Sequence, residues 1–241
     1  FQGSRGLGDV YKRQECSPPW DPETVSSYEV GFKSTFNNGA ATLSAAAFHY
    51  DYSDFQVAQV IGVVGVVTNA GDASIDGLEL ELNSNIGDDW TVNAALTLLD
   101  SAYGDFLNTD ALQGDAGVLQ NEGNPLNKAP KTSLNLGVTR NIALDSGSNL
   151  TLGLNTAYRS RTYFREFGQL DDSQPAYTVV NFNANLESAD GMLVTRIFAN
   201  NLTDEAYITD LSTGDSQYGR HAAWGMPRQV GIEVTRHFGK R

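Results

Sequence analysis

Apolar and polar residues alternate in nine stretches of the chain. Tyr28, Val30, Phe32 and Phe36 oppose Glu29, Gly31, Lys33 and Thr35. Phe48, Tyr50 and Tyr52 share a face behind the small Ser44 and Ala46. Leu78, Leu80 and Leu82 oppose Glu79, Glu81 and Asn83; Trp90, Val92, Ala94, Leu96 and Leu98 oppose Thr91, Asn93, Ala95 and Thr97. Leu134, Leu136 and Val138 stand against Asn135, Gly137 and Thr139, and Leu150, Leu152, Leu154 and Tyr158 against Thr151, Gly153, Asn155 and Arg159. Val180, Phe182, Ala184 and Leu186 oppose Asn181, Asn183, Asn185 and Glu187. The stretch 193–200 alternates with an ambiguous outer face, and the last sets Val230, Ile232 and Val234 against Gln229, Gly231, Glu233 and Thr235. A period of two lines one face of a strand, whereas leucines two apart would scatter around a helix. Nine strands are therefore predicted.

The connections carry a second pattern. Those at 37–39, 87–89, 145–148 and 189–191 are tight; those at 53–71, 105–129, 161–175 and 201–227 are long, and the two kinds alternate. Strict alternation puts every long loop at one end of an antiparallel sheet. Transmembrane barrels sort their loops this way, with short periplasmic turns and longer extracellular loops. The polar face points the same way. Glu79, Glu81, Asn83, Asn181, Asn183 and Asn185 would be costly in a dry core without partners, but suit a wet lumen or a polar plug. Aromatics near strand ends (Trp90, Tyr103, Phe106, Tyr158, Tyr163, Phe164 and Tyr177) would suit interfacial girdles. The uncharged Gly62-Val63-Val64-Gly65 reads as a flexible apolar loop, a strand extension or an aggregation-prone segment.

Composition removes several classes. Hydrophobic residues are 40% of the chain, and no run approaches the ~18–20 apolar residues of a spanning helix. An alternating barrel has an ordinary average hydropathy, so this leaves a membrane wall open. A net charge of −13 argues against a nucleic-acid partner. A single cysteine, Cys16, cannot form an internal disulfide, and no His/Cys/carboxylate cluster has metal-site spacing. Neither a Gly-x-Ser-x-Gly elbow nor a phosphate-cradling glycine loop occurs, so the reading is not an enzyme and requires no cofactor. Residues 1–14 show no secretory signal and are basic where the rest is acidic; they read as a foreign segment. Residues 15–23 read as an entry segment, 24–238 as the strand-bearing region, and 239–241 as a tail.

Four blocks carry a family resemblance. Asp21-Pro22-Glu23-Thr24 with Ser27-Tyr28-Glu29-Val30-Gly31-Phe32-Lys33 is similar to a "PET…YELGLK" strand. Asn69-Ala70-Gly71 with Ile75-Asp76-Gly77-Leu78-Glu79-Leu80-Glu81 is similar to "NAG…GVELE". Asn200-Asn201-Leu202-Thr203-Asp204-Glu205-Ala206-Tyr207 resembles "NLTDxxY", and Pro227-Arg228 with Phe238 resembles a closing strand; Pro125-Leu126 with Ala129-Pro130-Lys131 is a weaker fifth match. The chain thus resembles the C-terminal part of TonB-dependent outer-membrane receptors. The resemblance implies an all-β, antiparallel transmembrane β-barrel, with about nine C-terminal strands of a 22-stranded barrel. It implies a fragment in the Gram-negative outer membrane, lacking the plug domain, the energy-coupling box and the first strands. Such a fragment, with two open sheet edges, is expected not to fold stably alone in water.

By the same resemblance the function is energy-coupled uptake of a scarce metal chelate, with iron–siderophore first. Vitamin B12 or oligosaccharide uptake, and more remotely a passive porin or an outer-membrane hydrolase, are the alternatives. Partners would be outer-membrane lipid, the TonB complex through the plug, and the barrel-assembly machinery, for which Phe238 is the candidate signal. Arg159, Arg161 and Arg165 with Tyr163, Phe164 and Phe167 are the first candidates for ligand contact, because guanidiniums pair bidentately with carboxylate or catecholate oxygens and aromatics stack on planar groups; pairing of these arginines with acidic loop residues or lipopolysaccharide phosphate is the alternative. Arg220, His221 and Trp224 are the second. The block Asn201-Leu202-Thr203-Asp204 is expected to shape the exit from strand to loop, since Asn and Asp hydrogen-bond their own backbone in turns.

Overall fold

The computed structural model describes residues 21–61, 64–110, 112, 118–213 and 219–239. Residues 1–14, most of the entry segment, residues 62–63 and the last two tail residues lie outside that set, as do the readings made for them.

The strands in chain order are β1 (Thr24–Phe36), β2 (Ala41–Ile61), β3 (Val64–Ile86), β4 (Trp90–Tyr103), β5 (Leu107–Thr109), β6 (Val118–Gln120), β7 (Thr132–Ala143), β8 (Asn149–Arg159), β9 (Thr162–Tyr163), β10 (Ser173–Gln174), β11 (Tyr177–Glu187), β12 (Leu193–Asn200), β13 (Ile208–Thr213), β14 (Arg220–Trp224) and β15 (Gln229–Arg236). Nine form one sheet in the order β1-β2-β3-β4-β7-β8-β11-β12-β15, with every pairing antiparallel. β1 and β15 are its open edges. Neighbours in sequence are neighbours in space apart from three small hairpins, β5–β6, β9–β10 and β13–β14, which are built within the long connections at one end. The expected sorting of loops is therefore present in the sheet.

Directly opposed residues of an antiparallel pair share a face, so the register assigns the two sides. One row runs Leu43–Leu82–Ala94–Leu136–Thr156–Val180 and another Ser84–Val92–Val138–Leu154–Phe182–Ala199–Val230. On the opposite side, one row runs Thr35–Thr42–Asn83–Asn93–Gly137–Asn155–Asn181. The apolar side is left open: Val30 is 73% exposed, Val230 70%, Ile232 69% and Leu154 43%. A continuous uncovered apolar face of this extent is a surface for lipid.

The register also resolves the ambiguous strand. Ile197 opposes Ile232 and Thr195 opposes Val234, so Leu193, Thr195 and Ile197 belong to the apolar face and Val194, Arg196 and Phe198 to the polar one. It places Phe48, Tyr50 and Tyr52 on the polar face, since Phe48 opposes Glu29 and Gly77. The Phe48 ring lies where a side chain at Gly77 would be, and Phe198 covers Gly231 in the same way. Each glycine is thus a bed for a cross-strand aromatic.

Two expectations are corrected. The connection expected at 53–71 is mostly strand: β2 has 21 residues and β3 has 23, and they stay paired from Phe55 to Val64 beyond a register shift after Tyr52. Asp54, at φ 57°, sits in that bulge, which lets the hairpin leave the plane of the wall. A membrane needs only about 9–11 tilted residues, so much of this hairpin stands beyond it. Secondly, Tyr103, Phe106 and Phe164 are buried, at 6%, 1% and 8% exposure, and are not girdle residues. Tyr103 opposes Ala73 on the polar face and packs with Phe106, Tyr52, Phe55 and Leu126 into a core beneath the loops. Trp90 and Tyr158 do share apolar rows, with Ile86 and Leu134.

Candidate functional site at the long-loop end

The long connections close over the polar face at the end away from the tight turns. Asn201 makes the turn out of β12. It has φ 49°, accepts the Glu205 N–H at 2.9 Å, and donates to the carbonyls of Glu205 at 2.8 Å and Met226 at 3.0 Å. Asp204, also left-handed at φ 58°, accepts the Arg228 N–H at 2.9 Å. These bonds give the Asn201–Asp204 block the structural part expected of it, fixing where the loop leaves and re-enters the wall.

A buried ion cluster then ties three connections together. Asp172 is fully buried and accepts from Arg165 Nη1 at 2.8 Å and from Arg220 Nε at 2.5 Å. Arg165 also pairs with the buried Asp110 and lies over the Phe167 ring, 4.6 Å from its centroid. Asp110 belongs to the connection after β4, Arg165 and Asp172 to that after β8, and Arg220 to that after β12. The cluster is neutral, as burial demands. The Asp172 hydrogen bond is the main reason the Arg220 guanidinium is held above its ordinary pKa. Around it, Asn108 donates to Glu166 at 2.5 Å, the Lys128 N–H to the Tyr163 carbonyl at 2.8 Å, and the Ile208 N–H to Gln174 Oε1 at 2.8 Å. Lys128 and Asp210 pair at 2.8 Å, and the Lys128 hydrogen bond holds the Asp210 carboxyl below the usual carboxylate range.

Below the cluster lies a cavity of about 390 Å³. Its lining includes Arg159, Lys128, Phe164, Gln174, Tyr177 and Tyr207. Tyr177 and Tyr207 are stacked, with centroids 4.6 Å apart and planes 12° apart. Arg159 opposes Tyr177 across β8–β11, is exposed, and makes no ion pair among the described residues. The cavity therefore offers an uncommitted guanidinium beside a flat aromatic pair.

The sequence-predicted residues are distributed over three settings. Arg159 and Phe164 line the cavity. Arg165 and Arg220 are engaged in the ion cluster, and Arg161 donates to Ser173 Oγ at 2.7 Å. Tyr163 is half-buried on β9, whereas His221 and Trp224 project from β14 into solvent. Asp110, Asp172, Lys128 and Gln174 were missed. Asp110 lies 55 residues from Arg165, Asp172 48 from Arg220 and Gln174 34 from Ile208, and Lys128 reaches Asp210 in another connection, so nothing in local spacing marks them. Tyr207 ends the Asn201 block, and that block is its only signal.

An all-β antiparallel wall with one lipid-facing side, a polar opposite side and sorted loops defines part of a transmembrane β-barrel protein. The model of the TonB-dependent receptor-like β-barrel matches residues 17–202, and the chain belongs to that family. It is 26% identical over 194 residues to the probable TonB-dependent siderophore receptor PiuA of Acinetobacter baumannii, a match covering 78% of this chain and 24% of the relative. Among solved structures, the ferric yersiniabactin uptake receptor FyuA of Yersinia pestis superposes with a TM-score of 0.72 at 22% identity, over 90% of this chain and 30% of that one. The ferric-catecholate import receptor Fiu of E. coli K12 gives 0.65 at 20% identity, over 91% and 28%. The chain thus spans about a quarter of the length of this curated relative. It is an outer-membrane protein of the Gram-negative type, and its relatives are receptors rather than enzymes.

Proposed function

We propose that the chain supplies the C-terminal wall of a 22-stranded receptor barrel that takes up a ferric siderophore by energy coupling. The observation that carries the ligand class is the unpaired Arg159 facing a cavity beside the stacked Tyr177 and Tyr207. A ferric chelate with anionic catecholate or carboxylate oxygens and planar rings complements a cation beside aromatic faces. The siderophore receptors among the relatives support the same class. In this reading the polar face with Glu79, Glu81 and the asparagine row meets a plug, through which the TonB complex acts. Phe238, 83% exposed just beyond β15, is available to the barrel-assembly machinery.

The test is ligand binding by the intact receptor that carries this chain. Arg159→Gln should weaken a ferric catecholate siderophore roughly tenfold, the worth of one charge-assisted hydrogen bond, and Tyr207→Ala should weaken it further. Tight binding of cobalamin or an oligosaccharide instead, or passive sugar flux through liposomes, would overturn the reading.

A further inference from the structure

The apolar face carries two arginines near its tight-turn end. Arg140, on β7, stands in the row Ile86–Trp90–Arg140–Leu152–Ala184–Ile197–Ile232. Along its own strand the outward neighbours are Val138 and Ile142. Its guanidinium lies over the Trp90 ring, 4.9 Å from the centroid. Arg236 closes β15 on the same face, opposite Leu193, and lies over Phe238 at 5.2 Å. Both arginines are exposed, and neither makes an ion pair among the described residues. Asp190, the acid whose charge reaches Arg236, directs its carboxylate to the Ser188 hydroxyl at 2.6 Å and the Met192 N–H at 3.0 Å.

An arginine on a lipid-facing row is costly at mid-membrane and nearly free at the interface, where its stem stays in hydrocarbon and its head reaches out. The tight turns mark the periplasmic end of a barrel of this kind, so both heads reach the inner-leaflet interface. Trp90 lies one residue from its turn, at the level an interfacial indole prefers. A guanidinium pinned over an aromatic ring keeps its N–H edges free, and those edges match phosphate oxygens bidentately.

We propose that these two arginine–aromatic pairs form docking points for glycerophospholipid phosphates of the periplasmic leaflet. The site is independent of the transported ligand and rests only on the membrane position of the wall. Arg196 provides the contrast: it too lies over a ring, Phe198 at 5.4 Å, but on the polar face opposite Glu233.

Native mass spectrometry of the intact receptor, titrated with phosphatidylglycerol or with diacylglycerol of the same chains, tests the proposal. Wild type should retain phosphatidylglycerol and not diacylglycerol. Arg140→Gln and Arg236→Gln should each weaken one binding step roughly tenfold, Arg140→Lys and Arg236→Lys by a smaller factor, and Arg196→Gln should leave retention unchanged. Equal retention of the two lipids by wild type, or unchanged retention in the Arg→Gln variants, overturns the proposal. If an Arg→Gln protein fails the heat-modifiability check of assembly, the Arg→Lys variants decide on the same criterion. Siderophore affinity should not move in either arginine variant, so failure here is distinct from failure of the uptake reading.

Discussion

Asp172→Asn is the sharpest perturbation of the loop end, because it removes a charge while keeping the side chain's size. Asp172 has a side chain 0% exposed and serves two guanidiniums, Arg165 with 11% of its side chain exposed and Arg220 with 37%. Stranding one member of a buried ion pair costs about 3–5 kcal/mol. Two features reduce that here. Asp110 still pairs with Arg165, and Arg220 has access to water, which screens it. The expected loss is therefore about 2–3 kcal/mol. It falls on the loops, since the strand ladders of the wall do not pass through the cluster. Local opening should become easier by that amount, and amide exchange should quicken roughly 30- to 150-fold.

The reporters are the Phe164 N–H, which donates to the Asp172 carbonyl at 2.9 Å, and the Gly225 N–H, which donates to the Tyr207 carbonyl at 2.8 Å. Exchange would be followed on the intact receptor in detergent, with β7–β8 amides as the internal standard. Arg220→Gln alone and combined with Asp172→Asn completes a double-mutant cycle, in which the pair should show a coupling of about 1–2 kcal/mol. Loop amides exchanging at the wild-type rate would refute the reasoning. So would β7–β8 amides quickening by the same factor, because the cluster would then be part of the wall.

Two further perturbations test the wall. Gly77→Ala should displace the Phe48 ring and lower stability by about 1–3 kcal/mol, read as a lower urea midpoint for the receptor in lipid vesicles; the added cost should shrink when Phe48 is already alanine. Leu80→Arg, in the row Ala45–Leu80–Leu96, should cost about 2–4 kcal/mol in the same assay. Thr97→Arg, which lines the polar face, should stay within about 0.5 kcal/mol, and equal effects of the two would contradict the assignment of faces.

The wall was legible because its rule is local. A period of two lies within a window of a dozen residues, and the lengths of the gaps between strands are read straight along the chain without knowledge of any distant contact; lipid on one side with water on the other enforces the period. The face of each strand was less legible. Phe48, Tyr50 and Tyr52 were seen to share a side, but only pairing with Glu29 and Gly77 shows that the side is the polar one. The stretch 53–71 reads in sequence as a connection because Ser53, Asp54, Asn69 and Gly71 are residue types that suit a loop as well as the bulged shaft of a tall hairpin.

The loop end was scarcely legible, for a physical reason. From sequence Arg165 reads either as a cation for an anionic ligand or as a partner of acidic loop residues, and the spacing does not say which acid it meets. Its role depends on Asp110, 55 residues earlier, which only the folded connections bring within reach. Arg159 is two strands' ends away from the same fate: it sits on β8 itself, where the ladder to Tyr177 holds it toward the cavity and away from the cluster acids. The two arginines are six residues apart and differ in whether an opposite charge was folded onto them. A cation available to an incoming ligand is one the loops leave unpaired, so loop packing, rather than the count of basic residues, selects the site.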